Sequence, residues 1–186
     1  MFDEALAALG GLDVLVNNAG IVKLQSFDDT PIEDWDRIFS INLRAMFVAA
    51  KAAVAALRRS GSGAIVNIAS IAGKVGYRNM AGYNASKAAV ISLTRSLSLE
   101  WVDKGINVNA VCPGGVATDM LKSVADFLAP VLGQESGKLF DTMYPAQLGR
   151  HIQPIEVGRV VAFLLSDAAV IIRGQSINVD GGDTPY

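Results

Sequence analysis

One cysteine, Cys112, stands in the whole chain, so no intrachain disulfide can form. Its apolar setting, "NAVCPGG", suits a small buried residue. There is one histidine, His151, and no second metal ligand stands near it in sequence, which argues against a metal site. Runs of basic residues are missing, and the formal net charge is −2. Nucleic acid and anionic membranes are therefore poor candidates as partners. Long apolar runs are missing too. The best, "AMFVAAKAAVAAL", is broken by Lys51 and falls short of the roughly 20 residues that cross a bilayer. Met1 is followed by "FDEALAALGG", which has no basic start and carries acids, unlike a signal peptide. The expectation is a cytoplasmic protein with no membrane contact. Internal repeats and low-complexity linkers are also absent.

What is present is apolar. Of 186 residues, 51% are hydrophobic and 18% charged, which fits one well-buried domain and excludes a disordered chain. Four short runs rich in β-branched residues punctuate it: "DVLVNN" (13–18), "AIVNIAS" (64–70), "INVNAVC" (106–112) and "QSINVD" (175–180). The first three lack strict alternation, as strands covered on both faces do. Helical spacing fills the gaps. A helix is expected from "TPIEDW", with Thr30 as N-cap, Pro31 first and Glu33 completing a capping box, to about Arg59, where "SGSG" ends it. A second runs over about 79–103 and stops at Lys104-Gly105; a third runs from Pro154 to about Ser166. Between Thr118 and Gln153 the pattern loosens, with one or two short helices expected, such as "DMLKSVADFLAPVL".

Strands and helices in alternation imply right-handed crossovers and an α/β fold: a three-layer parallel sheet with helices on both faces. Ligands bind such sheets beyond the carboxyl ends of the strands. The polar clusters fall there: "NNAG" after the first strand, "AS" after the second, "PGG" after the third. Asn18, Gly20, Ser70, Pro113 and Gly114 thus come to one rim.

In "GYNASKAAVISLTRS" (82–96), Val90, Leu93 and Leu97 mark an inward stripe, and stepping back along it gives Lys87 and Tyr83. A charged amine on an inward stripe is costly unless paired. Either it snorkels to water or the site needs it. Tyr83 and Lys87 are helical neighbours, and an ammonium near a phenol lowers the phenol's pKa from about 10. A tyrosine so tuned exchanges a proton with a carbinol or carbonyl oxygen, and a serine hydroxyl can hold that oxygen. Oxidation of an alcohol then needs a hydride acceptor, which no side chain supplies, so a nicotinamide cofactor is implied. Tyr-x-x-x-Lys alone is a weak signal; its place on the stripe with Ser70 upstream strengthens it.

"LDVLVNNAG", "IVNIASIAG", "YNASKAAV", "INVNAVCPGGVATDM" and "GQSINVDGG", in this order across nearly the whole chain, resemble the short-chain dehydrogenase/reductase family. The resemblance implies a Rossmann-type fold and NAD- or NADP-dependent interconversion of alcohols and carbonyls. It implies that Tyr83 is the general acid/base. Lys87 would be its partner and would hold the nicotinamide ribose, and Ser70 would position the reacting oxygen. Asn42 would be the helix asparagine whose backbone carbonyl joins a water chain to the lysine. A helix asparagine bonded to a neighbouring strand is the plainer reading of Asn42, and the two are compatible. Asn18, Ala19 and Gly20 match a strand-stabilising segment that flanks the cofactor. Pro113, Gly114, Val116 and Thr118 match the segment that packs on the nicotinamide. By the same resemblance, residues 119–153 form a substrate lid, and the helices at 31–59 and 80–103 make homodimer or homotetramer contacts.

One departure is large. The family's strand, glycine-rich turn and helix that cradle the pyrophosphate have no counterpart before "NNAG"; Gly10-Gly11 reads as a turn between helix and strand. A βαβαβ unit of roughly 60–75 residues is missing from this sequence. Two readings follow: a fragment of an active oxidoreductase, or a relative without catalysis that serves as an oligomer interface or binding protein. The apolar helices could also act purely as a pairing module. Small-molecule alcohols and carbonyls are the implied substrates, and the determinants of NAD against NADP fall outside these residues. Strand 13–18, free of charge over "VLV", is expected to be a bare sheet edge.

Overall fold

The computed structural model describes residues 2–185. Helix α1 (Phe2–Leu9) leads to strand β1 (Val14–Asn17) through Gly10, whose φ of 71° suits the helix-to-strand turn. Helix α2 (Ile32–Phe39) runs through a π-helical turn (Ser40–Arg44) into α3 (Ala45–Ser60). Then come β2 (Ala64–Ile68), α4 (Ala81–Glu100) and β3 (Asn107–Pro113). Helices α5 (Asp119–Leu132), α6 (Ser136–Thr142) and α7 (Pro154–Leu164) precede β4 (Ser176–Val179). The strands pair in the order β1-β2-β3-β4, every pair parallel. All four expected strands exist, shifted at their ends by one or two residues. The loosened stretch holds two helices, α5 where the quoted run stands and the shorter α6, within the one or two expected.

Helices cover both faces. On one, Ala50, Ala53 and Leu57 of α3 and Leu97 of α4 bury against Ile65 and Val108, with Leu15 packed beside them. On the other, Val157, Val160 and Leu164 of α7 pack on Val66, Val111 and Ile177. Alternation along a strand sends Ile65 one way and Val66 the other, so each strand feeds both cores.

Three details differ from the sequence reading. Thr30 makes no capping box: its hydroxyl donates to the Ser26 carbonyl at 2.7 Å, closing the preceding turn, and Pro31 is the cap with no side-chain bond. A capping box does form at α7, where Glu156 accepts from the Gln153 backbone N–H at 2.8 Å. The run broken by Lys51 belongs to one continuous helix, Ile32–Ser60, of 29 residues. By length and composition alone this helix could cross a membrane. In the fold, however, its Ala50–Leu57 face lies against the sheet. Third, the buried stripe of α4 runs through Lys87, Val90, Thr94 and Leu97, with Thr94 taking the place expected of Leu93, which is only partly buried.

Strand β1 is the edge the sequence leads one to expect. Val16 stands opposite Val66 in the ladder, so it points to the face that α7 covers further along the sheet. Helix α7 sits over β3, and Val14 and Val16 are left 42% and 41% exposed. An unpaired apolar edge templates pairing with another chain. The 186-residue chain should therefore self-associate in light scattering, and Val16→Lys should reduce that association without loss of helical circular dichroism. A monodisperse parent chain would contradict this.

Candidate active site

The carboxyl ends of β1, β2 and β3 form one rim, because all three run the same way in near-level register. Ser70 follows β2 in extended backbone (φ −171°), and its Oγ accepts the Ala72 N–H at 3.1 Å, capping a short 3₁₀ turn at Ile71–Gly73. Gly73 is required there: a Cβ would lie 2.7 Å from the Lys87 backbone carbonyl carbon. The contact brings the Ser70 loop down onto α4 one turn beyond Tyr83. Ser70 and Tyr83 interact through their side chains, as the sequence implies.

Lys87 is buried, 3% exposed, so the snorkelling alternative is excluded. Its Nζ donates to the Ile68 carbonyl at 2.7 Å, at the carboxyl end of β2, and lies 5.7 Å from the centre of the Tyr83 ring. Burial pulls the ammonium's pKa down to about 8, and the Cys112 sulfur opposes the shift. The Tyr83 phenol departs from the sequence expectation. Its pKa is raised by burial, and the Ser70 hydrogen bond only partly offsets that. The reason is geometric. The ammonium is held at the Ile68 carbonyl, 5.7 Å from the ring centre, and loss of water around the phenol sets the direction.

Asn42 sits in the π-helical turn, fully buried. Its Oδ1 accepts the Ile21 N–H at 2.8 Å, and its Nδ2 donates to the Ile21 carbonyl and to Ser86 Oγ, each at 3.0 Å. The side chain thus clamps the segment after β1, the plainer of the two roles open to it. A π turn inside an α-helix is uncommon and concentrates at functional sites. Gly20 passes directly over this cluster; a Cβ there would meet Asn42 Oδ1 and Lys87 Nζ, both at 3.4 Å.

The shelf residues divide. Asn18 and Ala19 are exposed, while the buried cross-strand bond is made by Asn17, whose Nδ2 donates to Asn67 Oδ1 at 2.8 Å. Asn67 in turn donates to Thr94 Oγ1 at 2.9 Å, which donates to the Val90 carbonyl at 2.8 Å. This polar ladder ties β1, β2 and α4 together, so the strand-holding role expected of Asn18 belongs to its neighbour Asn17. Its signal was available: Asn17 and Asn67 are polar residues in otherwise apolar strands.

Pro113 ends β3, and Gly114 packs on Asp180, where a Cβ would lie 2.8 Å from the Asp180 Cβ. Asp180 itself is buried, accepting from the Gly182 and Thr184 backbone N–H groups and the Thr184 hydroxyl. Val116 bridges to Ile152, which fastens the far end of the 119–153 segment beside the rim. Thr118 caps α5, its Oγ1 accepting the Leu121 N–H at 3.4 Å, and stays exposed. Inside the segment Leu128, Phe140 and Met143 pack around Ala125, Ala129 and Leu139, forming a small core of their own. Cys112 is fully buried, as its sequence setting suggests. His151 is occupied, stacked on Phe140 with Nε2 2.9 Å from the Phe140 carbonyl.

Comparison with known proteins agrees with this geometry. A family model described as "Enoyl-(Acyl carrier protein) reductase" matches residues 1–184. The chain is 43% identical over 182 residues to a cyclopentanol dehydrogenase of Comamonas sp. (strain NCIMB 9872), covering 98% of this chain and 70% of that one. It is 38% identical to a 3-alpha-(or 20-beta)-hydroxysteroid dehydrogenase of Mycobacterium tuberculosis, covering 97% of this chain and 64% of that one. Among solved structures, actinorhodin polyketide ketoreductase with NADPH superposes with a TM-score of 0.93 at 37% identity, over 100% of this chain and 72% of that one. NAD⁺-bound xylitol dehydrogenase gives 0.89 at 32%, over 97% and 72%.

The buried ammonium has a signature in stability. With a native pKa of about 8 against an ordinary 10.5, the unfolded chain holds more protons between those values. Lys87 therefore makes stability rise with pH across that window, and its cost is fully present below it. Lys87→Met should raise the unfolding free energy at pH 7 by about 1–3 kcal/mol, the relief being offset by the lost bond to Ile68. It should also flatten the rise above pH 8. Urea melts at several pH values check this; a Met variant less stable at pH 7 would contradict it.

Proposed function

Because the chain belongs to the short-chain dehydrogenase/reductase family, we propose that it carries the reacting half of an NAD- or NADP-dependent oxidoreductase. The reaction is the interconversion of a secondary alcohol and a ketone. The observation that carries this reading is Lys87. A buried ammonium held at a strand's carboxyl end, beside a tyrosine and beneath a glycine shelf, costs stability and has no use in a packing module.

The residues present fit the nicotinamide-ribose end of such a cofactor. Lys87 offers its remaining N–H donors, Gly20 leaves the shelf without a side chain, and Pro113 to Thr118 border the same rim. The glycine-rich turn that would hold the pyrophosphate is not among these residues. When bound, the nicotinamide supplies the hydride acceptor or donor. Ser70 holds the substrate oxygen by its hydroxyl, and Tyr83 exchanges the proton on that oxygen. In oxidation the carbinol oxygen loses its proton to the Tyr83 oxygen as the carbinol C–H bond breaks to give the ketone. In reduction the phenol returns the proton to the forming alkoxide. A phenol kept neutral by burial is ready for reduction, whereas oxidation requires its ionisation. The oxidation rate should accordingly keep climbing with pH above neutrality. Cyclic secondary alcohols are the first substrates to try, given the named relatives.

The groove between the α2–α3 helix and α4, about 810 Å³, is lined by Phe39, Leu43, Phe47 and Leu93. Its apolar walls support pairing with a second copy through helices 31–59 and 80–103. The α5–α6 segment, fastened at Val116 and Ile152, suits a lid over the substrate, and the composition favours a cytoplasmic setting. Joined to a family βαβαβ unit ahead of residue 1, the chain should oxidise cyclic secondary alcohols. Tyr83→Phe should lower that rate by about 10²–10⁴-fold while leaving NAD(P)H affinity within a few-fold, since the hydroxyl moves the proton and the ring only packs. Retention of a tenth or more of the rate would overturn the assignment.

A further inference from the structure

Ser86 is fully buried and lies between the proposed acid and its lysine in sequence. Its Oγ donates to the Tyr83 carbonyl at 2.8 Å and accepts from Asn42 Nδ2 at 3.0 Å. The bond to its own helix is ordinary for a serine and needs no second partner. The bond to Asn42 is the informative one. It uses the second hydrogen of that amide, whose first hydrogen bonds the Ile21 carbonyl and whose oxygen accepts the Ile21 N–H. A continuous chain of bonds therefore runs from the Ile21 backbone through Asn42 and Ser86 to the first turn of α4. The shelf glycine, Gly20, is the residue before Ile21, and a Cβ on it would lie equally far from Asn42 Oδ1 and Lys87 Nζ. The height of the shelf above the ammonium is thus set by how firmly Asn42 is held.

We propose that Ser86 is a positioning residue: through Asn42 it fixes the spacing between the Gly20 shelf and the Lys87 ammonium, the gap that the cofactor's ribose must enter. This rests on the reading of Tyr83 and Lys87 as the reacting pair. Without Ser86 Oγ, Asn42 keeps two bonds to a single backbone residue and loses its anchor to α4. The amide is then free to follow the shelf instead of holding it. The titratable groups facing Lys87 are Tyr83 on its own helix and Cys112 on β3, and Ser86 bonds the Tyr83 backbone carbonyl.

The test uses the 186-residue chain and needs no turnover. Amide hydrogen exchange at Ile21 reports the latch, and acylation of Lys87 by a small amine reagent at fixed pH reports access to the gap. Ser86→Ala should speed Ile21 exchange at least about tenfold and change the Lys87 acylation rate several-fold, with Asn17 exchange as an internal control that stays put. Ser86→Cys keeps the approximate size and a weak acceptor for Asn42 Nδ2, and should bring both readouts part of the way back to the parent values. In Ser86→Ala, the further change Asn42→Ala removes the acceptor of the Ile21 N–H and should speed Ile21 exchange further; no added effect would contradict the latch. If Ile21 exchange and Lys87 acylation stay at the parent values, or move only in step with Asn17 and global stability, the positioning role is wrong. If both Ser86 variants fail to fold, Ser86 is structural and the proposal is overturned. Should the latch behave as described while Tyr83→Phe in the extended chain keeps its activity, the catalytic reading fails and the latch stands.

Discussion

The site depends on one ammonium out of water. Lys87 occupies a position on α4 where Val90 and Leu97 continue the same inward face, and packing alone would favour an apolar residue there. What makes the charge tolerable is the carboxyl end of β2, where Ile68 turns its carbonyl oxygen to Nζ at 2.7 Å. Burial still drags the amine's pKa far below its ordinary range. The rest of the rim is arranged around this bond. Gly73 lets the Ser70 loop sit on the backbone of α4, Gly20 lets the shelf cross above Nζ, and the π turn brings Asn42 to the same point.

Two polar ladders flank the ammonium, and each does mechanical work that apolar packing could not. The Asn17–Asn67–Thr94 ladder crosses two strands into α4 and penalises any slip of β1 against β2, because a slip would strand the buried Asn17 amide and the Asn67 Oδ1 that accepts from it. The Ile21–Asn42–Ser86 ladder holds the segment after β1. Together they bind the shelf to α4 on both sides of Lys87. Every member of this frame lies within β1, the segment that follows it, β2, α4 and the π turn.

Much of this was legible in the sequence because it follows from periodicity. Strand runs, helix spans and the Gly61 stop were readable from β-branched content and turn residues, although α4 ends at Glu100 and Gly105 closes the 3₁₀ turn Val102–Lys104 after it, and the parallel order followed from alternation. The rim followed from strand polarity. The misses share a cause: they depend on which of two competing hydrogen bonds a side chain makes. Thr30 could cap a helix or close a turn, and the Ser26 carbonyl won. Asn17 and Asn18 are adjacent and identical, and only the pleat decides which one is buried. Whether Lys87 lowers or fails to lower the Tyr83 pKa turns on where Nζ points, which spacing does not reveal. Ser86 and Thr94 were visible as small polar residues at helical steps along a buried stripe, a pattern that marks internal bonding.

The site stands on the state of that lysine. Titration of the Lys87 ε-carbon by ¹³C NMR, with Lys87→Met used to assign the resonance, measures it directly. A buried ammonium held at the Ile68 carbonyl predicts a midpoint of about 8, well below the 10.5 of an ordinary lysine. A midpoint at that ordinary value would place the amine in water and contradict the burial on which the site rests.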